Sequence, residues 1–358
     1  MVKAAAFVVP GDLATPTGGY AYDRRIIGEL RALGWQMQVL DIGDSFPRPT
    51  VAARAAAQRR LAELPGGYPI VVDGLAFGVL AEEAQALAPA HRLVALVHHP
   101  LALESGLSAG DSAALHASER AALACARHVI TTSPSTAQLL IADFAVPSQR
   151  LSIVRPGTDR APAPARVPRP MVELLAVGSV VPRKGYDVLV AALAAIHDLA
   201  WRLVIAGDRA RDPHTARLID AEIERLGLGS RITFAGAVAP ARLMQLYAAA
   251  DLFVLSSRFE GYGMAYAEAI AHGLPVVGTR AGAVPDTVPA GAGVLVPPDD
   301  VDALALVLRR LIESPSERAR LSAGARAAAA TFPSWQDSAS LFARVLEQVA
   351  EPVAGSIG

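Results

Sequence analysis

The chain has one cysteine, Cys125, and only two lysines, Lys3 and Lys184, in 358 residues. A single thiol excludes an intramolecular disulfide and suits a reducing compartment. Neither sign of charge is in excess, the net charge being −1, so no basic field argues for a nucleic-acid partner. No apolar stretch is long enough to span a membrane. The N-terminus runs as a strand-like segment straight into glycines, without the layout of a signal peptide, and a cytoplasmic location is expected. Arg54, Arg59 and Arg60 in Val51–Leu64 are the residues that would meet anionic lipid in a peripheral membrane contact. A solvated helix face is the commoner explanation of that pattern.

Several chemical signatures are missing as well. There is no GxGxxG fingerprint for a dinucleotide. His98-His99 is not a chelating spacing. The one D-x-D, Asp300-Val301-Asp302, sits where the N-cap and first-turn acids of a helix belong. Neither a metal nor another cofactor is expected.

What is present is an α/β chain. Hydrophobic residues make up 52% and charged residues 19%, as in well-buried layers, and the length suffices for two domains. Strand and helix patterns alternate through both halves, which predicts two doubly wound, Rossmann-like parallel sheets with the ligand in a central cleft that they face. The expected boundaries are 1–156 for the first domain, a proline-rich linker over 157–170, 171–332 for the second domain, and 333–358 for a closing helix. In the first domain, strand Lys3–Val9 leads into a Gly18-Gly19 loop and a helix over Ala21–Leu33. Such a turn approaches a phosphate or sugar in many α/β folds, or is a plain tight turn. Leu75–Leu87 reads as one helix. Strand Arg92–Val97 ends in His98-His99-Pro100, which places the histidines at the edge where such sheets bind ligands. They are either substrate contacts or loop residues satisfied by backbone.

The second half is organised around Phe259–Pro275. A short buried strand, Asp251–Leu255, feeds the elbow Glu260-Gly261-Tyr262-Gly263, where glycine allows a close backbone approach. A helix starting near Gly263 would aim the N–H groups of Gly263, Met264 and Ala265 at one spot, an anion site fit for a phosphate or diphosphate. Glu268 lies on the face of Met264 and Ala265, and Glu260 supplies a second carboxylate from the loop. Carboxylates accept hydroxyl hydrogens, so a diphosphate pocket flanked by two of them suits a sugar nucleotide. The plainer explanation is a helix start with acids placed to suit the macrodipole. Lys184, in VGSVVPRKGYDVLV, follows a strand and loop and is expected at the first turn of a helix. In a chain whose default cation is arginine, a lysine here points to a need for its compact ammonium. At a diphosphate pocket it would stabilise the charge of a leaving group; otherwise it is a surface lysine beside Arg183.

These pieces, in this order, resemble the retaining family-4 glycosyltransferases of GT-B fold. The matching features are the Gly-Gly after the first strand, VRPGTD, VGSVVPRKG, LVIAGD, RITFAGAV, the E-x7-E from Glu260 to Glu268, and GLPVVGTRAGAVPD before GVLVPP. The likeness is densest from Val172 to Pro298. It implies that Lys184 neutralises the donor diphosphate, Glu260 contacts the transferred sugar, and Glu268 holds the ribose hydroxyls. It further implies that the backbone of Gly261, Tyr262, Gly263, Met264 and Ala265 cradles the phosphates, that Ala235 and Gly236 line the base pocket, and that the final helix crosses back onto the first domain. His98, rather than His99, would lie near the sugar. Ser179 stands where the family usually has arginine; either Arg183 or another arginine compensates, or diphosphate stabilisation is weaker. The implied activity is transfer of a hexose, with retention, from a UDP- or GDP-linked donor to a hydroxyl of a glycan, lipid-linked or small-molecule acceptor. The alternatives are a sugar-nucleotide-binding protein with weakened catalysis and a GT-B hydrolase or epimerase.

Overall fold

The computed structural model describes residues 3–159, 161 and 169–351. The chain divides into two compact units, Met1–Gly157 with Pro333–Gly358, and Thr158–Phe332. The linker expected over 157–170 lies largely outside the described residues, as do the last residues of the segment 333–358.

The first unit runs β1 (Ala4–Val9), α1 (Gly18–Ala32), β2 (Gln36–Asp41), α2 (Val51–Ala62), β3 (Pro69–Asp73), α3 (Gly74–Phe77), α4 (Ala81–Leu87), β4 (Arg92–Val97), α5 (Ala109–Cys125), β5 (His128–Thr131), α6 (Pro134–Ala142) and β6 (Leu151–Ile153). Its six strands pair in the order β2-β1-β3-β4-β5-β6, all parallel. The strand order reverses direction between β1 and β3. Their central residues are apolar on both faces because helices cover both sides: Phe7, Val8, Ile70, Val71, Val94 and Leu96 are all buried.

The second unit runs β7 (Val172–Val177), α7 (Tyr186–Ala194), β8 (Trp201–Ala206), α8 (Pro213–Arg225), β9 (Ile232–Gly236), α9 (Pro240–Ala249), β10 (Leu252–Val254), α10 (Met264–Ala271), β11 (Val276–Thr279), α11 (Val284–Thr287), β12 (Gly293–Val296), α12 (Val301–Glu313) and α13 (Pro315–Ala329). Its parallel order is β12-β11-β10-β7-β8-β9, reversing between β7 and β10. The last helix, α14 (Trp335–Ala350), belongs to the first unit and packs on α1. A capping box of Ser334 and Asp337 starts it. Its buried face, Trp335, Ala339, Phe342 and Leu346, recurs at helical spacing. Burial of Phe342 or Leu346 contributes about 1.5–3 kcal/mol each. Among the described residues no helix is long and apolar enough to cross a membrane.

Three sequence expectations are corrected. Gly18 and Gly19 are not a loop but the first turn of α1: Thr17 caps that helix by accepting the Tyr20 N–H, which outweighs glycine's poor helix propensity. Leu75–Leu87 is two helices, because the chain turns at Gly78 through Leu80. A Cβ at Gly78 would lie 2.8 Å from Leu101 Cδ1, so the turn is packed closely against the segment after β4. Lys184 closes a short 3-10 turn, Pro182–Lys184, and α7 begins only at Tyr186, because Gly185 takes a left-handed φ of 63°.

Candidate active site

In the second unit the site grows from β7 and β10, the neighbouring strands at which the sheet order reverses, the position where open α/β sheets bind ligands. The turn after β7 carries Arg183 and Lys184, and the loop after β10 carries Glu260. Lys184 Nζ lies 2.6 Å from Glu260 Oε1, Arg183 Nη1 lies 3.4 Å from Oε2, and Ser257 Oγ donates to Oε1 at 2.6 Å. Arg183 also donates to the carbonyl of Phe259 at 3.0 Å. Burial alone would push the Glu260 carboxyl up, but Lys184 and Arg183 overcome it and hold the group at about 2. A Cβ on Gly178 would come within 3.0 Å of Lys184 Cε, so the missing side chain leaves room for the lysine stem. Ser179 is half-buried at the same turn, where its carbonyl accepts the Val181 N–H at 3.0 Å; its neighbour Val180 is fixed by a backbone bond to Asp208.

The elbow follows directly. Tyr262 is buried, and its carbonyl accepts from Thr287 Oγ1 at 2.6 Å. Gly263, with φ 89°, precedes α10, and no side chain caps that helix. The first-turn N–H groups at Met264 and Ala265 have no partner inside the helix. Glu268 sits one turn on, half-buried, with Oε2 accepting from Tyr247 at 2.8 Å. Burial raises its pKa, and the charge of Asp159 adds to the rise against the pull of the Tyr247 bond. Gly261 lies half-buried between Glu260 and Tyr262. Ala235 and Gly236 end edge strand β9, half-buried, where Gly236 O accepts from Gly207 N at 2.9 Å. Beside them the guanidinium of Arg209 lies 4.2 Å from the ring centroid of Phe234.

In the first unit the two histidines after β4 part company. His99 Nε2 meets Glu104 at 3.2 Å on the surface. His98 turns inward, with Nε2 3.1 Å from Asp23 Oδ1 and 3.6 Å from Asp73 Oδ2. Gly19 lies against that ring. Asp73 is pushed up to about 7, first by burial and then by the neighbouring Asp23. Burial lowers the pKa of His98, but Asp23 and Asp73 together leave it raised. Among the described residues these three also form the one group of side chains able to offer a metal three ligand atoms, all within 4.8 Å of one another. Asp300, by contrast, caps α12 by accepting the Ala303 N–H at 2.8 Å, as its position in sequence suggested.

Residues 162–328 match the family of glycosyl transferases group 1, and residues 21–161 match glycosyltransferase family 4. Over 331 residues the chain is 31% identical to the MMP alpha-(1->4)-mannosyltransferase of Mycolicibacterium hassiacum, covering 86% of this chain and 77% of that one. The chain belongs to glycosyltransferase family 4.

A second relative of this glycosyltransferase is D-inositol 3-phosphate glycosyltransferase 1 of Catenulispora acidiphila, 34% identical over 62% of this chain and 57% of the other. Among solved structures, sucrose-phosphate synthase from Thermosynechococcus elongatus superposes with a TM-score of 0.81 at 23% identity, covering 97% of this chain and 99% of that one. HepE of Anabaena, solved with UDP and glucose, gives 0.74 at 19% identity over 97% and 100%. These likenesses show the GT-B fold. The glycosyltransferase transfers a sugar.

Two features of the glycosyltransferase escaped the sequence reading. The sequence does not pair Asp23 or Asp73 with His98. A signal existed for Asp73, an acid ending an apolar strand; Asp23, inside a helix, offered none. Ser257 and Tyr247, which hold the two glutamates, are also invisible without the fold, since each acts across a turn or from another helix.

Proposed function

We propose that this family member is a retaining, metal-independent transferase that moves a hexose from a nucleoside-diphosphate sugar, UDP- or GDP-linked, to a hydroxyl of a glycan, lipid-linked or small-molecule acceptor. The observation that carries the reading is the convergence of Lys184 and Arg183 on the buried Glu260 carboxylate, one elbow before the uncapped start of α10. Two cations beside a set of open N–H groups suit a diphosphate, and a carboxylate among them suits a sugar hydroxyl. Lys184 meets the negative charge that grows on the departing diphosphate, and a preorganised charge of this kind acts where charge develops. Arg183 takes the place of the arginine that Ser179 lacks. The backbone of Gly261 to Ala265 holds the phosphates, Glu268 the ribose hydroxyls, and Ala235 with Gly236 the base. On the first unit, His98 is assigned to the transferred sugar, and Gly18 and Gly19 bring the start of α1 close to bound ligand. The acceptor attacks on the face the nucleotide leaves, which retains the anomeric configuration. The names of the relatives, a mannosyltransferase and inositol-phosphate glycosyltransferases, favour a polyhydroxyl acceptor, and the UDP and glucose of HepE agree with a nucleotide-sugar donor. A cytoplasmic location fits both substrates.

The test is a thermal-shift panel with UDP, GDP, ADP and dTDP, followed by NMR of the product anomer with the sugar conjugate of the base that binds. A ligand at 100 times its Kd stabilises by about 2.7 kcal/mol. The expected result is a raised midpoint with one base and a product of unchanged anomeric configuration. No shift with any of the four would remove the donor assignment, and an inverted product would remove retention.

A further inference from the structure

Three acid–base groups of the first unit meet at one point of its sheet edge. Asp73 ends β3, at the strand-order reversal, and His98 follows the next strand, β4, while Asp23 projects from the buried face of α1, the helix that follows β1. Asp23 is fully buried and Asp73 nearly so; the His98 side chain keeps 20% of its exposure. Gly19 stands four residues before Asp23, hence on the same helix face. A Cβ there would lie 3.3 Å from His98 Cδ2 and 3.5 Å from Nε2, so the glycine lets the ring settle against the helix. Tyr22 closes another side edge-on, with ring centroids 5.2 Å apart. Its hydroxyl donates to Val154 O at 3.1 Å and does not compete for the imidazole.

The chemistry at Nε2 follows from its neighbours. That nitrogen faces carboxyl oxygens of both Asp23 and Asp73, and a lone pair pointed at them would be repelled. A proton on Nε2 turns the 3.1 Å separation into a hydrogen bond of ordinary length. Asp73 Oδ1 also accepts the Leu75 N–H at 2.7 Å as the cap of α3, and its carboxyl adjoins that of Asp23. No arginine or lysine ion pair to Asp23 or Asp73 occurs among the described residues, so the imidazole is the group of the cluster that can meet the carboxyls as a cation. Asp23 Oδ2 is buried without a hydrogen-bond partner. Leaving such an atom unpaired disfavours the folded state.

We propose that Asp23 is a positioning residue for His98: its carboxyl takes the Nε2–H, Asp73 closes the seat, and the imidazole is thereby fixed in the tautomer that leaves Nδ1 to a ligand hydroxyl. The role in transfer rests on the reading of His98 as a sugar contact; the tautomer does not. The groups facing the ring are Asp23 and Tyr22 from α1 and Asp73 from the end of β3, and the two carboxyls both favour the protonated imidazole over the neutral one. The raised pKa of His98, despite its burial, agrees.

The experiment is nitrogen NMR of the labelled full chain, with the His98 ring signals located by their loss in His98→Ala. Above its titration, wild-type His98 is expected as the Nε2–H tautomer; a predominant Nδ1–H form would overturn the proposal, and this arm needs no Asp23 variant to fold. In Asp23→Asn the His98 titration is expected to fall by about one pH unit or more, the scale for losing a charge within a few ångströms. Unchanged titration and tautomer in the folded variant would overturn it. Turnover in Asp23→Asn should drop roughly ten- to a hundredfold, the scale for a partner that orients a functional histidine, with donor KM nearly constant. Stoichiometric broadening of the His98 signals by Mn²⁺ would overturn the proposal by showing that the seat takes a cation in place of the proton. Full transfer activity in His98→Ala would remove Asp23's part in transfer and the sugar-contact reading together, whatever the tautomer.

Discussion

The ammonium of Lys184 lies 2.6 Å from Oε1 of Glu260, a residue 76 positions further along the chain. Both are largely buried, and the pair joins the two strand ends at which the second sheet reverses its order. A buried pair of this kind is weak evidence of stabilisation by itself, because desolvation offsets attraction. On the proposed function, a bound diphosphate would draw Lys184 away and free Glu260 for a hydroxyl.

Lys184→Ala is therefore expected to lower turnover by roughly 10²-fold or more, the scale of a lost preorganised charge contact. Arg183→Ala should cost less, since its Nη1 stands further from the carboxylate, at 3.4 Å. Steady-state kinetics on the folded variants checks both, and near-normal turnover in Lys184→Ala would end its assignment as the diphosphate cation.

Glu268 is expected to act on binding rather than turnover. Glu268→Ala should raise the donor KM with kcat nearly unchanged, as for a contact made equally in ground and transition states. Tyr247→Phe removes the 2.8 Å hydrogen bond to Glu268 Oε2 and should raise KM in the same direction by a smaller factor. Unaltered donor affinity in Glu268→Ala would count against the ribose role.

The turn holding Lys184 depends on Gly185. It has φ 63°, and a Cβ would fall well inside van der Waals distance of Ser256 O, while Ser256 Oγ donates to Gly185 O at 2.5 Å. Gly227 has a similar φ of 68° with nothing within 4 Å. Gly227→Ala should cost about 1–2 kcal/mol from the left-handed backbone alone, and Gly185→Ala clearly more, because the strand loop must also move. Denaturant midpoints of the two variants measure the difference; equal losses would show that the close approach is not what fixes the turn.

Much of this was legible in the sequence because α/β layers announce themselves as apolar runs alternating with helical patterns. The elbow of Gly261 to Gly263 and Glu268 on the following helix could be placed from spacing alone, as could the capping role of Asp300. What was not legible depends on chain segments brought together by the sheet. Nothing near Asp23 in sequence indicates that β4 will deliver an imidazole to it, and Ser257 and Tyr247 look like any polar residue until Glu260 and Glu268 are beside them. Local competition misled at two places: Thr17 capping drew Gly18 and Gly19 into α1, and the left-handed Gly185 held Lys184 out of α7.

Glu260 and Glu119 should make stability contributions that respond to pH in opposite directions. Glu260 is depressed from its ordinary 4.5 to about 2. Its contribution is present above pH 4.5 and is lost as pH falls toward 2. Glu119 is the reverse. Burial raises it to about 8, although it accepts the N–H groups of Leu101 and Ala102 in the segment just after His98-His99. Its stabilising contribution is full below pH 4.5, where the acid is neutral in both states, and is lost as pH rises through 8. Glu119→Gln keeps the group neutral throughout. The variant should therefore gain stability relative to wild type between pH 5 and pH 8, read as a rise in the midpoint difference of roughly 2–4 °C per kcal/mol for a unit of this size. Thermal unfolding of both proteins at the two pH values, followed by a probe of the first unit because two units need not melt together, checks the sign. A difference that stays constant from pH 5 to pH 8 would mean that Glu119 is ionised with little penalty and that its two backbone bonds outweigh its burial.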